Sequence, residues 1–188
     1  HFLQCSEKEL DAAYQRLSLS QLSVYKRYLD KEYSLSPEVC IHFEERILLP
    51  ILLTFHPILD SIKQMNVFLD EHVSDYDLEI SLDESDVETS LETHFFLSEE
   101  LHHRGIDFHS LALKFPGFFE KGVEYRGDVH AFQKNLKQQV TIVENIGGYR
   151  LSLHSGSDKM SIYPIFSQET QGLFHVKTSG TSWLKALE

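Results

Sequence analysis

The spacing of apolar residues changes character near residue 75. Before that point the period is helical. Leu10, Ala13, Tyr14 and Leu17 recur on one face, and Leu22, Tyr25 and Leu29 continue the pattern. Ser6 followed by Glu9 is a capping-box signature, in which hydroxyl and carboxylate satisfy free backbone amides. Ser36-Pro37 reads as a further helix start, with Ser as cap and Pro at the first helical position. Pro50 and Pro57 are expected to kink or divide that helix. Residues 1–74 therefore read as a helical segment with a scaffold role.

Beyond residue 75, short alternating runs replace the helical period. Residues 77–83 (DLEISLD), 107–115, 149–154 and 173–177 each read as a strand. Between them, Thr89 to Glu92 opens a helix that runs to Arg104 and is stopped by Gly105. Asp128 caps another, with Val129, Phe132, Leu136, Val140 and Val143 on one side and Gly147-Gly148 at its end. Strands alternating with helices point to βα units and a parallel sheet. The expected fold class is α/β: a partial TIM-type (β/α) barrel of about four parallel strands, preceded by the helical segment. The expected division is 1–74 as scaffold and 75–188 as the βα units carrying the site, part of one barrel domain.

Parity within the strands locates the chemistry, because successive side chains face opposite sides. Ile80 and Leu82 oppose Glu79, Ser81 and Asp83. Ser110 and Ala112 oppose Leu111 and Leu113. Leu151 and Leu153 oppose Ser152 and His154. Phe174 and Val176 oppose His175 and Lys177. Each strand thus offers an apolar face to covering helices and a polar or small face to the barrel axis. Burying such groups without a use is costly. Function in this architecture sits at the carboxyl ends of the strands. There the sequence places Asp83 and Glu84, Lys114, His154, and His175 with Lys177. One carboxylate with two imidazoles suits a divalent metal with an open position. His94, His102, His103, His109 and His130 lie on helices or outward positions and read as bland.

Composition narrows the ligand. The chain has 188 residues and a net charge of −12. Residues 1–94 hold 7 basic and 19 acidic side chains, whereas residues 95–188 hold 10 of each. That acidity argues against a nucleic-acid partner. An anionic small molecule belongs with the balanced second half. The loops Ser155-Gly156-Ser157-Asp158-Lys159 and Thr178-Ser179-Gly180-Thr181-Ser182 are rich in hydroxyls and backbone amides beside a lysine, which suits a polyhydroxylated acid. Lys121, in the loop between Gly117 and Gly122, is a candidate for a substrate carboxylate. The apolar run from Ile47 to Phe55 is broken by Pro50 and too short to cross a bilayer, so no membrane partner is expected. Cys5 and Cys40 form no CxxC pair and read as small buried residues of a reduced, cytoplasmic protein. With no initiator Met or targeting motif, the chain is expected to be a piece of something longer, and inactive in isolation.

The stretches EISLDE (79–84), SLALKFPGFFEKG (110–122), YRLSLHSGSDK (149–159) and FHVKTSGTSWLKAL (174–187) closely resemble the tagaturonate epimerase family, in order and with compatible spacing. The resemblance spans about residues 77–188 and marks the chain as a central portion. Residues 1–74 resemble the family only in being helical. LALKF stands where the family usually has a Pro and an Arg, so Lys114 keeps a charge but loses a bidentate grip. The resemblance implies an isomerase of hexuronate catabolism: a metal-dependent epimerase interconverting fructuronate and tagaturonate. It also implies a divalent ion (Zn, Mn or Ni) on Glu84, His154 and His175. Asp83, Lys177 and Asp158 are then the expected catalytic groups. Lys114, Lys121, Ser155, Ser157, Lys159 and Thr178 are expected to bind substrate. The inverted carbon lies one position from the carbonyl, so simple enolisation does not acidify it. Retro-aldol cleavage, rotation and re-addition is the expected route, with the metal stabilising the developing charge. No GxGxxG follows a strand to suggest a nicotinamide. The competing readings are another metal-dependent sugar isomerase on a barrel and a non-catalytic sugar-acid-binding remnant.

Overall fold

A computed structural model describes Leu3 and residues 6–178 of the chain. The chain forms two compact units, His1–Tyr76 with Leu91–Asp107, and Asp77–Ser90 with Phe108–Glu188.

The first unit contains α1 (Glu7–Tyr14), α2 (Leu19–Tyr28), a hairpin of β1 (Glu32–Ser36) and β2 (Val39–His42), α3 (Glu45–His72) and α4 (Leu91–His103). The capping signature at Ser6 is realised, its backbone N–H donating to the Glu9 carboxylate at 2.9 Å. Ser18 and Gln21 repeat the device at α2. The hairpin corrects the helical reading of residues 1–74. Val39 and Ile41 are buried while Cys40 and His42 are exposed, a period of two. Ser36-Pro37 does not start a helix. The Ser36 hydroxyl accepts from the Glu38 and Val39 amides, at 3.3 and 3.1 Å, and closes the hairpin turn. Cys40 is exposed rather than buried, its thiol donating to the Glu32 carboxylate across the hairpin at 3.1 Å. Nor do the prolines divide α3, which runs unbroken through Pro50 and Pro57. Each proline removes one backbone donor, but Leu48, Leu49, Ile51, Leu52, Phe55 and Leu59 anchor the helix by burial on both sides of the prolines. Tyr28, Phe43 and Phe96 fill the core of this unit.

The second unit carries a parallel sheet. Its strands are β3 (Glu79–Ser81), β4 (Ser110–Ala112), β5 (Arg150–Leu153) and β6 (Phe174–Val176), in that spatial order. All the strand pairs are parallel, as the alternation with helices predicts. The strands are shorter than the sequence runs that announce them. The sheet is open, with β3 and β6 as its edges among the described residues. α5 (Val129–Ile146) connects β4 to β5, and α6 (Tyr163–Glu169) connects β5 to β6. Asp128 caps α5, accepting from the His130 and Ala131 amides at 2.8 and 3.2 Å. Gly147 ends it at φ 76°, a left-handed value that glycine adopts freely. Leu111, Leu113, Leu151 and Leu153 are buried with Phe132, Leu136 and Phe166. Among the described residues, no helix is long and apolar enough to cross a membrane.

Candidate functional site at the carboxyl ends of the parallel strands

The register of the sheet aligns its polar face. Ser81 pairs with Ala112, Ala112 with Ser152, and Ser152 with His175. Two residues beyond these, just past the strand ends, come Asp83, Lys114, His154 and Lys177. The parity seen in the sequence thus becomes a row of ionisable groups at the carboxyl ends.

Three of them meet. Asp83 Oδ2 lies 3.4 Å from His154 Nδ1, and Asp83 Oδ1 lies 3.4 Å from Lys177 Nζ. Ser81 also donates its hydroxyl to Asp83. Lys177 Nζ donates to Ser81 Oγ at 2.6 Å and lies 3.5 Å from Glu79 Oε1, so it bridges two carboxylates. His175 Nδ1 is 2.8 Å from Glu79 Oε2 and 3.3 Å from Ser152 Oγ. Ser110 donates to Glu79 at 3.0 Å. The result is two carboxylate–imidazole pairs, Asp83–His154 and Glu79–His175, joined by Lys177.

Protonation follows from this arrangement. Burial alone would raise the Glu79 carboxyl. Hydrogen bonds from Ser152, His175 and Ser110, with the Lys177 charge, outweigh burial and hold it below the usual range. Burial opposes ionisation of Asp83 too, but the Ser81 hydrogen bond and the His154 and Lys177 charges keep its carboxyl low. His154 is displaced the other way. Burial depresses it from 6.5 to about 4; Asp83 opposes the shift, and the charges of Lys114, Lys177 and Lys159 reinforce it. The imidazole is therefore neutral at neutral pH. Its Nε2 is buried and has no hydrogen-bond partner among the described residues. Phe119 covers the ring at 4.5 Å between centroids.

A pH dependence follows. With a folded value below the unfolded one, the unfolded chain takes up the proton first. The stabilisation is complete above pH 6.5 and is lost as pH falls towards 4, by up to about 3 kcal/mol. Urea midpoints of the chelator-treated full-length protein should fall more steeply between pH 7.5 and 4.5 in wild type than in His154→Gln. Parallel profiles would show that His154 is not buried as the neutral base.

The turn after β5 fixes the remaining geometry. Ser155 takes a left-handed φ of 50°, unusual for a residue with a side chain. At Gly156 a Cβ would meet Val176 Cγ1 at 2.4 Å. The Gly156 amide donates to the Lys177 carbonyl at 3.0 Å, tying the end of β6 to the turn that carries His154.

The other expected site residues are distributed around this centre. Glu84 is exposed in a turn closed by the Ser85 amide on the Leu82 carbonyl, so of the adjacent carboxylates it is Asp83 that reaches His154 and Lys177. Lys114 is half-buried at the end of β4, and Lys121 is exposed on its loop. Ser157 and Asp158 lie in a 3₁₀ turn, Gly156–Asp158. Lys159 is fully buried, donating to the Glu120 and Val123 carbonyls. Thr178 is exposed, and the expected loop from Ser179 to Ser182 lies outside the described residues, as does Cys5. Glu79 was not among the expected site residues. Its parity with Asp83 was the available signal, and the lateral contact with His175 is what makes it part of the cluster.

A cavity of about 810 Å³ lies at the opposite, amino ends of the strands, lined by Asp77, His109, Val140, Arg150 and Leu173 and reached by Glu79 and His175. It contains none of Asp83, His154 and Lys177. The convergence of charged groups, rather than this volume, defines the site. For a divalent metal, His154 fits best: its Nε2 is open, and a carboxylate on Nδ1 would hold the tautomer that leaves Nε2 free to coordinate. No group of three or more His, Cys, Asp or Glu among the described residues is arranged to hold an ion.

Fold and site define a βα protein with an ionisable cluster at the carboxyl ends of a parallel sheet. The chain belongs to the tagaturonate epimerase family, whose profile matches residues 1–188. The match includes residues 1–74, beyond the reach of the motif resemblance. The tagaturonate/fructuronate epimerase of Thermotoga maritima is 40% identical over 183 residues, covering 97% of this chain and 38% of that enzyme. The glycerol-bound crystal structure of the fructuronate-tagaturonate epimerase UxaE from Cohnella laeviribosi superposes with a TM-score of 0.91 at 34% identity, over 99% of this chain and 38% of that one. Its native form gives 0.86 at 35% identity. The chain thus spans well under half the length of the relatives it matches.

Proposed function

We propose that this chain is part of a cytoplasmic, metal-dependent epimerase of hexuronate catabolism that interconverts fructuronate and tagaturonate, and that its four parallel strands form part of a (β/α) barrel completed by the rest of the enzyme. The observation that carries the reading is the convergence of Asp83, His154 and Lys177 at one end of the sheet. Of this chain's described residues, His154 would contribute a metal ligand through Nε2, and the remaining ligands would come from outside the described residues. When bound, the ion supplies Lewis-acid stabilisation of negative charge on a carbonyl oxygen.

The chain's own groups do the rest. Lys177 carries positive charge between two carboxylates and can hold a sugar-acid oxygen or pass a proton to one. Asp83, ionised and held by Ser81, is placed to receive a proton. Lys114 and Lys121 supply the charge for the substrate carboxylate.

The test is incubation of the full-length protein with fructuronate and several divalent metals, followed by product identification. Tagaturonate should form only with metal. Formation after exhaustive chelation would remove the metal from the reading. Binding of the sugar acid without conversion would leave a non-catalytic binding protein.

A further inference from the structure

The loop from Pro116 to Gly127 is fastened at one side and functional at the other. Lys159 is fully buried. An ammonium out of water is costly unless hydrogen-bonded. Here Nζ donates to the Glu120 carbonyl at 2.8 Å and to the Val123 carbonyl. The neighbouring Asp158 accepts from the Gly122 amide at 2.8 Å. Three nearby points of the loop are thus gripped by two consecutive residues. Ser161 adds a hydroxyl contact to Glu124 at 3.1 Å, and the Phe118 amide closes the loop on the Arg126 carbonyl at 2.8 Å. From this loop Phe119 reaches inward. Its ring lies 5.3 Å from Tyr125, 6.2 Å from Phe132 and 4.5 Å from the His154 imidazole. Residues 158 and 159 belong to the same turn that carries His154 and binds the end of β6 through Gly156.

We propose that Asp158 and Lys159 are positioning residues: they latch the 116–127 loop so that Phe119 stays against His154. The role differs from substrate contact, which a lysine beside a glycine and serines suggests in sequence. Its kinetic consequence rests on the epimerase reading; its structural consequence does not. The side chains reach the chemistry through the loop, which keeps Phe119 over the imidazole and excludes water from that side.

The experiment uses the full-length protein with Lys159→Met and Asp158→Ala. Three readouts are followed: backbone hydrogen exchange over 117–126, the ring-proton shifts of ¹³C-labelled His154, and steady-state kcat and KM. In Lys159→Met, exchange over the loop should accelerate at least about tenfold, with β4 and β5 unchanged. The His154 ring signals should move downfield as the Phe119 ring current is lost. The kcat should fall about 10²-fold, as for other misplacements remote from the chemistry, with KM changing less. In Asp158→Ala, which removes the acceptor, faster exchange should centre on Gly122, and this variant carries the test if Lys159→Met fails to fold. A raised KM with unchanged loop exchange and ring shifts would overturn the latch and make Lys159 a substrate ligand. Loop exchange that accelerates without any loss of turnover would equally overturn it. A wild-type enzyme that converts neither ketohexuronate would overturn the epimerase reading alone, since exchange and ring shifts still decide the latch.

Discussion

His154→Ala in the full-length protein is expected to lower turnover by about 10²–10⁴-fold, the range for loss of a group acting directly on the reaction. The imidazole combines a buried Nε2, without a hydrogen-bond partner among the described residues, with a carboxylate on Nδ1 and an aromatic cover. Asp83→Asn should cost less, about 10–100-fold, if the carboxylate acts chiefly by orienting the ring. Comparable losses for both would mean that Asp83 itself handles a proton. Initial rates measured beside thermal melts separate chemistry from folding. A His154→Ala enzyme within tenfold of wild type would remove His154 from the mechanism.

Phe132→Ala should be the most damaging single truncation in the second unit, at about 3–5 kcal/mol. Its ring is fully buried and packs against Tyr125 at 5.3 Å, Phe115 at 5.6 Å, Phe119 at 6.2 Å and Phe166 at 6.4 Å. The cavity would open between α5, α6 and the loop that bears Phe119. Denaturant unfolding followed by a probe in this unit measures the cost. A loss below about 1 kcal/mol would mean that the neighbouring rings collapse into the space.

The sheet was legible because its strands alternate two chemically distinct faces. Glu79, Ser81 and Asp83 share a side in one run, Ser152 and His154 in another, His175 and Lys177 in a third, and the register then aligns them. Which of Asp83 and Glu84 meets the cluster was not legible, because both lie in the turn that follows β3, where strand parity no longer applies. The hairpin was not legible, because Ser36-Pro37 carries the same signal for a helix cap and for a turn; tertiary burial of Val39 and Ile41 decided between them. The path of α3 through two prolines likewise depended on burial that no local rule contains. The contact of Glu79 with His175 and the burial of Lys159 share a common reason for not showing in the sequence. Their roles are set by partners 96 and 36–39 residues away in sequence, and a side chain's type does not reveal which distant group it will meet.

The contact at Gly156 has an evolutionary consequence. Even a methyl group there would collide with Val176, whose strand is tied to the same turn through the Lys177 carbonyl. A side chain at 156 therefore requires a smaller residue at 176, or the two strand ends part and the contacts of Asp83 with His154 and Lys177 are disturbed. The 156–176 pair thus acts as a gauge that holds the spacing of the two strand ends at the site.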